Sequence, residues 1–527
     1  LPFPEGVAAA EVLRVGDSAE GVQENKRGLL VIVVGGLTSA GLALLAAMKV
    51  VAGSIERTFR VGSGGSMISA SLSLALIGVG HLVGMTVGIA MIVGLVISFG
   101  VMLPLRTAGQ IPAGGDLGEI VSGIFSSDVR FVGAGAMAIA AIWTLAKIAL
   151  PIVRGVKEAL AATRARHDGT EVPVSERDLS MRVVAWVTLA SMLPIGLLLW
   201  LFVRHTPIAH HATGMVVVSI LFVLLIGLAV AGVCGYMAGL IGASNSPISG
   251  VGILIVITAA LLIKVVHGAQ SSDQGDALIA YTLFTAAVVF GVATISNDNL
   301  QDLKTGQLVS ATPWKQQVAL IIGVLFGSVV IPPVLQLLNN SFGFAGAPGA
   351  TDNALAAPQA ALLSSLAKGV FGGDLDWGLL GLGVVIGAVV VIIDELLGRA
   401  SSNRLRLPPL AVGMGMYLPM GLTLIIPIGA LAGLVYDRWA ARAADPESTK
   451  RLGTLAATGL IVGESLFGVA LAGIVAATGK DEPLAVVGAG FTTVSEIIGV
   501  LLFAGMTLGL YLWAKRLSGA AMSRTGA

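Results

Sequence analysis

Residues 293–317 read ATISNDNLQDLKTGQLVSATPWKQQ, and they stand between an apolar run at 276–296 and another at 317–338. Each run holds about 20 mostly apolar residues, enough to cross about 30 Å of hydrocarbon. The quoted stretch is therefore expected as a polar hinge at or near one membrane face. Asn297, Asp298, Asn299, Gln301, Asp302 and Lys304 crowd it with amides and carboxylates, where an ordinary cytoplasmic loop favours Lys and Arg. A solvated turn is the competing reading; a gate or coupling network is the functional one.

Composition extends the membrane reading to the whole chain. Only 12% of the 527 residues are charged and 55% are hydrophobic, against about 25% charged in soluble domains. The fold class that follows is all-α, a polytopic helical membrane protein. Apolar runs at 28–52, 129–153, 181–203, 213–240, 251–267, 276–296, 317–338, 377–395, 453–478 and 485–513, with further apolar material at 65–104, 355–370 and 408–435, make about 12 or more spans. Seventy glycines suit helices whose backbones approach closely in lipid.

Charge sets the orientation and excludes some partners. With 31 basic and 30 acidic residues, nothing draws the chain to nucleic acid; the lipid bilayer and a small solute are the expected partners. The connection 154–182, with Arg154, Lys157, Arg164, Arg166, Arg177 and Arg182, is cytoplasmic by the positive-inside rule. Loops 298–316, 396–407 and 437–452 and the tail 514–527 then also fall inside. Loop 53–64, with Arg57 and Arg60, is the exception. The single Cys234 excludes an intrachain disulfide. The opening Leu1-Pro2-Phe3-Pro4-Glu5 has neither an initiator Met nor a signal segment, so spans are expected upstream of residue 1. On that reading 1–27 is cytoplasmic or interfacial and 28–513 is the transmembrane domain.

Two segments should be irregular. Both flanks of 408–435 count as cytoplasmic, so this stretch, rich in Pro and Gly, should enter and return. Segment 65–104 has no charge and reads as two short or interrupted helices, with Gly80, Gly84 and Gly88 as a packing stripe. His81, beside that stripe, is read as satisfied by a backbone carbonyl in preference to relaying protons. Residues 1–13 and 407–420 share a Leu-Pro opening and Gly-rich spacing, a faint sign of two pseudo-symmetric halves.

Carboxylates at mid-bilayer depth seldom face lipid. Glu464 and Glu496 read as lying near the middle of their apolar runs, and they are the candidates for proton coupling. Hydrogen bonding for packing alone is the competing reading. Asn245, Ser246 and Pro247, in a charge-free turn, and Gln359, after the helix-breaking Pro358, are candidates for contact with solute.

Several chemistries are excluded. GAGAMA at 133–138 lies inside a span with no strand before it, and no H-E-x-x-H or G-x-S-x-G occurs. His205, His210 and His211 have no carboxylate or cysteine beside them. No catalytic residue, metal centre or cofactor is expected, with the proton as the coupling ion.

The run NDNLQDLKTG at 297–306 followed by ATPWKQQ at 311–317 resembles the signature of the oligopeptide transporter family. PFPEGVAAAEVL at 2–13, LIGVGHLVG at 76–84, FVGAGAMAIAAIWTL at 131–145, GLIGASNSPISG at 239–250, APQA at 357–360 and GESLFGV at 463–469 resemble it in the same order. The resemblance implies a bacterial secondary transporter of the inner membrane that imports oligopeptides or peptide-like compounds on the proton gradient. It implies two alternatives in substrate, since one branch of the family moves metal chelates. A passive channel is the rival from another class.

Overall fold

The computed structural model describes Phe3, Gly6, Ala9, Ala10, Leu13, 19–111, 116–140, 142–144, 146–147, 177–241, 248–268, 274–344, 354, 357–372, 376–478, 480 and 482–525. In chain order these form α1 (Ala19–Ala47), a hairpin of β1 (Ser54–Val61) and β2 (Gly64–Ser71), α2 (Leu74–Val83), α3 (Met85–Thr107), α4 (Leu117–Thr144), α5 (Met181–Val203), α6 (Ala212–Ile241), α7 (Ile248–His267), α8 (Gly275–Leu308), α9 (Pro313–Ser341), α10 (Pro358–Gly372), α11 (Trp377–Ala400), α12 (Pro409–Tyr417), α13 (Ile425–Ala440), α14 (Pro446–Thr478) and α15 (Thr492–Thr525). Among the described residues eleven helices are long and apolar enough to cross a membrane. The polytopic all-helical architecture read from composition stands.

The chain divides into two compact units, one of 1–18, 138–331 and 357–377 and the other of 19–137, 332–356 and 378–527. In the first, α6 and α8 run parallel, since Tyr281 donates to Ser219 at 3.0 Å, Leu300 meets Gly235, and Gln301 donates to the Ala238 carbonyl at 2.8 Å. Helix α7 returns against α8, with Gly252 on Phe290 and His267 beside Gln274.

The second unit is built on glycine contacts and broken helices. Helices α1 and α14 run parallel with almost no side chain between them: Gly35 and Gly36 face Ala456, Gly459 and Gly463, and a methyl on Gly463 would overlap the Gly36 carbonyl. Lipid tails give helices no apolar reason to associate, so this close backbone approach supplies the attraction. Helix α2 is ten residues long, about 15 Å at 1.5 Å per residue, and so half the hydrocarbon thickness. It stops at Gly84, whose φ of 83° and ψ of 170° belong to a region open essentially to glycine alone. Gly80 and Gly88 do pack, on Ile426 and on Pro427 and Ala430, but Gly84 is the break and not part of a stripe.

Segment 408–435 is irregular as expected. The nine-residue α12 ends at Leu418, a four-residue turn of helix covers Met420–Thr423, and α13 leads out. Asp394, near the end of α11, is 3% exposed. It takes the Leu407 N–H at 2.7 Å and Arg406 at 2.5 Å, fixing the chain where it turns into α12.

The hairpin was not expected. Residues 54–71 pair in register from Ser54↔Ser71 to Val61↔Gly64, turning through Gly62 at φ +61°. Segment 65–104 therefore opens with a strand, not a span. The exceptional arginines of 53–64 lie on β1, where Arg57 donates to Glu496 from both terminal guanidinium nitrogens.

Gly463→Ala is expected to lower the unfolding free energy in detergent by about 1–3 kcal/mol, because a packed site is overfilled. Gly468→Ala, where a methyl meets nothing within 4 Å, is expected to be neutral or slightly stabilising. Denaturation midpoints of the pair check this.

Candidate functional site

Glu464 lies in the body of α14, half-buried, and its carboxylate closes the N-terminus of α2. Ser73 donates to one oxygen at 2.6 Å, while the Ala75 N–H at 3.0 Å and Ser39 at 3.2 Å donate to the other. Ser73 is also the N-cap, accepting from the Leu76 N–H. The first N–H groups of a helix have no intrahelical partner, and water is absent at membrane depth. A carboxylate from a neighbouring helix meets that demand and sits at the positive end of the helix dipole.

Glu496, read from sequence as mid-span, is not there. Helix α15 starts at Thr492, so Glu496 is in its second turn, and it pairs with Arg57 at 2.5 Å. The Arg57 pKa is pushed further up, first by the hydrogen bond to Glu496 and then by its charge.

The hinge at 293–317 is also corrected. Helix α8 continues through it to Leu308, about 51 Å long, and the turn comes at Ser310, where φ is +61°. The buried face of α8 runs through Val289, Ala293, Asn297 and Gln301 without interruption. Asp298 and Asp302 face outward, Asn299 is half-buried, and Lys304 binds Gln307 at 2.9 Å.

Gln301 is a latch. Its carbonyl accepts the Gly6 N–H at 2.7 Å and its amide donates to the Ala238 carbonyl at 2.8 Å, while Thr305 donates to the Gly6 carbonyl at 2.9 Å. With the Phe3 N–H on the Gly239 carbonyl at 2.9 Å, these bonds hold the N-terminal segment against the ends of α6 and α8. One turn earlier, Asn297 is 1% exposed and neither its oxygen nor its nitrogen has a partner. Most buried polar groups are bonded, so this amide is available to something else.

Asn245, Ser246 and Pro247 lie outside the described residues, and Gln359 is the second residue of α10. His81 is 7% exposed and bonds the Tyr511 hydroxyl at 2.7 Å, with Asp437 at 3.8 Å, instead of a backbone carbonyl. The rings of His210 and His211 gather with His267 at 4.7 to 6.0 Å. Among the described residues no three His, Cys, Asp or Glu side chains form a group able to hold a metal ion.

The family model described as "OPT oligopeptide transporter protein" matches residues 1–475. A protein of Haemophilus influenzae named "Putative oligopeptide transporter" is 38% identical over 534 residues, covering 98% of this chain and 83% of its own. The chain belongs to the oligopeptide transporter family. It is thus an integral, multi-pass member of a family of transporters and not of enzymes. Two plant proteins named as probable metal-nicotianamine transporters match less of it: one from Oryza sativa subsp. japonica, 30% identical over 37% of this chain and 28% of its own, and one from Arabidopsis thaliana, 27% identical over 41% and 30%.

The transporter carries one charged residue that the sequence reading passed over. Arg130 stands at the midpoint of α4, Leu117–Thr144, whereas the sequence reading starts this span only at 129. Glu119, Asp128 and three serines within 117–129 hide the start of this helix from a hydropathy reading.

Asn297→Leu is expected to leave the unfolding midpoint unchanged or raise it, because two buried polar atoms without partners are removed. Gln301→Leu is expected to lower stability by about 1–3 kcal/mol, since it strands the Gly6 N–H and the Ala238 carbonyl. Thermal unfolding of both variants in one detergent checks the opposite signs.

Proposed function

We propose that the protein is a proton-coupled secondary transporter of the bacterial inner membrane that imports short peptides or peptide-like compounds, with Glu464 as the coupling carboxylate. The observation that carries this reading is the placement of Glu464 on the N-terminus of a half-length helix. Protonation removes the negative charge, so the bond from the Ala75 N–H loses its charge assistance and its interaction with the helix dipole, and the dock of α2 weakens. Gly84 lets α2 swing without deforming α3. A proton taken up on one side thereby favours one position of α2, and its release favours the other; a shift of this kind is as large as the difference in proton affinity between the two positions.

Solute enters the same reading through the amides. Asn297 offers a donor and an acceptor to a peptide bond, and Asn245, Ser246, Pro247 and Gln359 are proposed beside it as contacts. Asp298, Asn299, Gln301, Asp302 and Lys304 belong to the gate, with Gln301 as its latch. Glu496 keeps a weaker claim to coupling, because its ion pair with Arg57 accounts for it. The relatives named for metal-nicotianamine transport favour metal chelates as the second substrate reading. A ligand at 100 times its Kd raises stability by about 2.7 kcal/mol, so thermal unfolding with di- to hexapeptides and with iron, nickel or copper chelates separates the two.

Glu464→Gln in reconstituted vesicles is expected to abolish accumulation driven by a pH gradient while exchange of labelled for unlabelled solute continues. Uphill uptake at the wild-type rate would remove Glu464 from the coupling step. Absence of exchange in the wild-type protein would instead favour a channel.

A further inference from the structure

A cavity of about 220 Å³ opens over the break between α12 and α13, and Arg130 lines it with Glu56, Ser69, Ser122, Ser126 and Gly421. Its walls are the least regular parts of the unit. Helix α3 contains a π-turn at Val96–Met102 and α4 another at Phe125–Val129, and Phe99 stacks on Phe125 between them at 4.8 Å. Such turns appear mostly as single insertions, frequently at functional sites.

Arg130 has more donors than partners. A guanidinium carries five N–H groups. Among the described residues one is used, from Nη2 to the Tyr417 hydroxyl at 2.8 Å, while the cation lies over the Tyr417 ring at 4.6 Å. The Nε atom is buried with no partner. The nearest carboxylate in sequence, Asp128, is committed elsewhere: Arg106 and Ser127 both donate to it. Among the described residues no carboxylate forms an ion pair with Arg130. A cation at the midpoint of a span needs an anion or water, because its insertion costs about 2.5–3.5 kcal/mol. The planar fork of Arg suits a carboxylate in particular.

We propose that this cavity is a carboxylate-binding subsite for the transported solute, with Arg130 as the group that pairs with the anion. This rests on the peptide reading of the function and deepens it. The volume suits one end of a solute and not the whole, since sites for drug-sized ligands run to about 300–1,000 Å³. Glu56 is exposed and sits opposite Ser69 in the hairpin register, which places a negative charge at the rim. The rim repels a bare anion such as phosphate and tolerates a carboxylate that travels with a cationic group. A peptide C-terminus and an acid arm of a metal chelate share this chemistry.

The test measures binding of trialanine and trialanine amide to the purified wild-type protein, Arg130→Gln and Tyr417→Phe, with ferric citrate as a second carboxylate-bearing probe. The wild-type protein is expected to prefer the acid over the amide by on the order of 10- to 100-fold, the range of a charge-assisted pair. Arg130→Gln should bring that ratio to about 1 with amide binding unchanged, and Tyr417→Phe should keep the preference. Equal affinity for acid and amide in the wild-type protein overturns the subsite while leaving peptide transport intact. If neither peptide form binds, peptide transport is overturned, and loss of ferric citrate binding in Arg130→Gln supports the subsite on a chelate. Failure of all three probes to bind the wild-type protein overturns both. Should Arg130→Gln not fold, the acid-to-amide ratio of the wild-type protein decides alone.

Discussion

A helix that begins inside a bilayer presents N–H groups with no water to meet them, and the contact of Glu464 with the N-terminus of α2 answers that requirement. Much of the second unit follows from it. Glu464 reaches Ser39 because α14 lies backbone to backbone against α1, an approach only glycine at 36 and 463 permits, and it reaches Ser73 and Ala75 through the separate packing of α2 on α14, where Gly78 meets the Ala457 carbonyl. A bulkier residue at 36 or 463 would draw the carboxylate away from Ser39. The contact is therefore a structural tie, and in the function proposed above the same side chain is also the coupling group.

The two units handle buried polarity differently. In the second, the acids find partners inside the protein: buried Asp394 is tied down by Arg406 and the Leu407 N–H, and the more exposed Glu496 and Asp128 pair with Arg57 and Arg106. Arg130 stands apart, with spare donors facing a cavity. In the first unit Gln301 spends both ends of its amide on backbone, whereas Asn297, one turn away, spends neither. Unpaired groups of this kind reduce stability, and their presence beside well-satisfied neighbours is what the proposed solute contacts rest on.

The spans, the discontinuous segments and the family were legible from hydropathy, proline and glycine placement, and the NDNLQDLKTG run. The hairpin was hidden because β2, Gly-Gly-Ser-Met-Ile-Ser-Ala-Ser, is buried along most of its length and lacks the alternation of a half-exposed strand. The helical course of 293–308 was hidden because its buried face changes from Ala293 to Asn297 and Gln301, keeping the spacing of four while losing hydrophobicity. Read by spacing instead of polarity, those positions continue the helix. The depth of Glu496 was misjudged because the apolar run begins seven residues before α15 does. Arg130 was missed for the converse reason: α4 begins twelve residues before the run assigned to it.

The central claim is that the Glu464 carboxylate changes protonation as α2 leaves its dock. Infrared difference spectra of the reconstituted protein, recorded as solute is added across a pH series, test it most directly. The account predicts a protonated carboxyl band whose intensity responds to solute and which is missing in Glu464→Gln. A spectrum in which solute leaves that band unchanged, or in which the Gln variant retains it, would contradict the account.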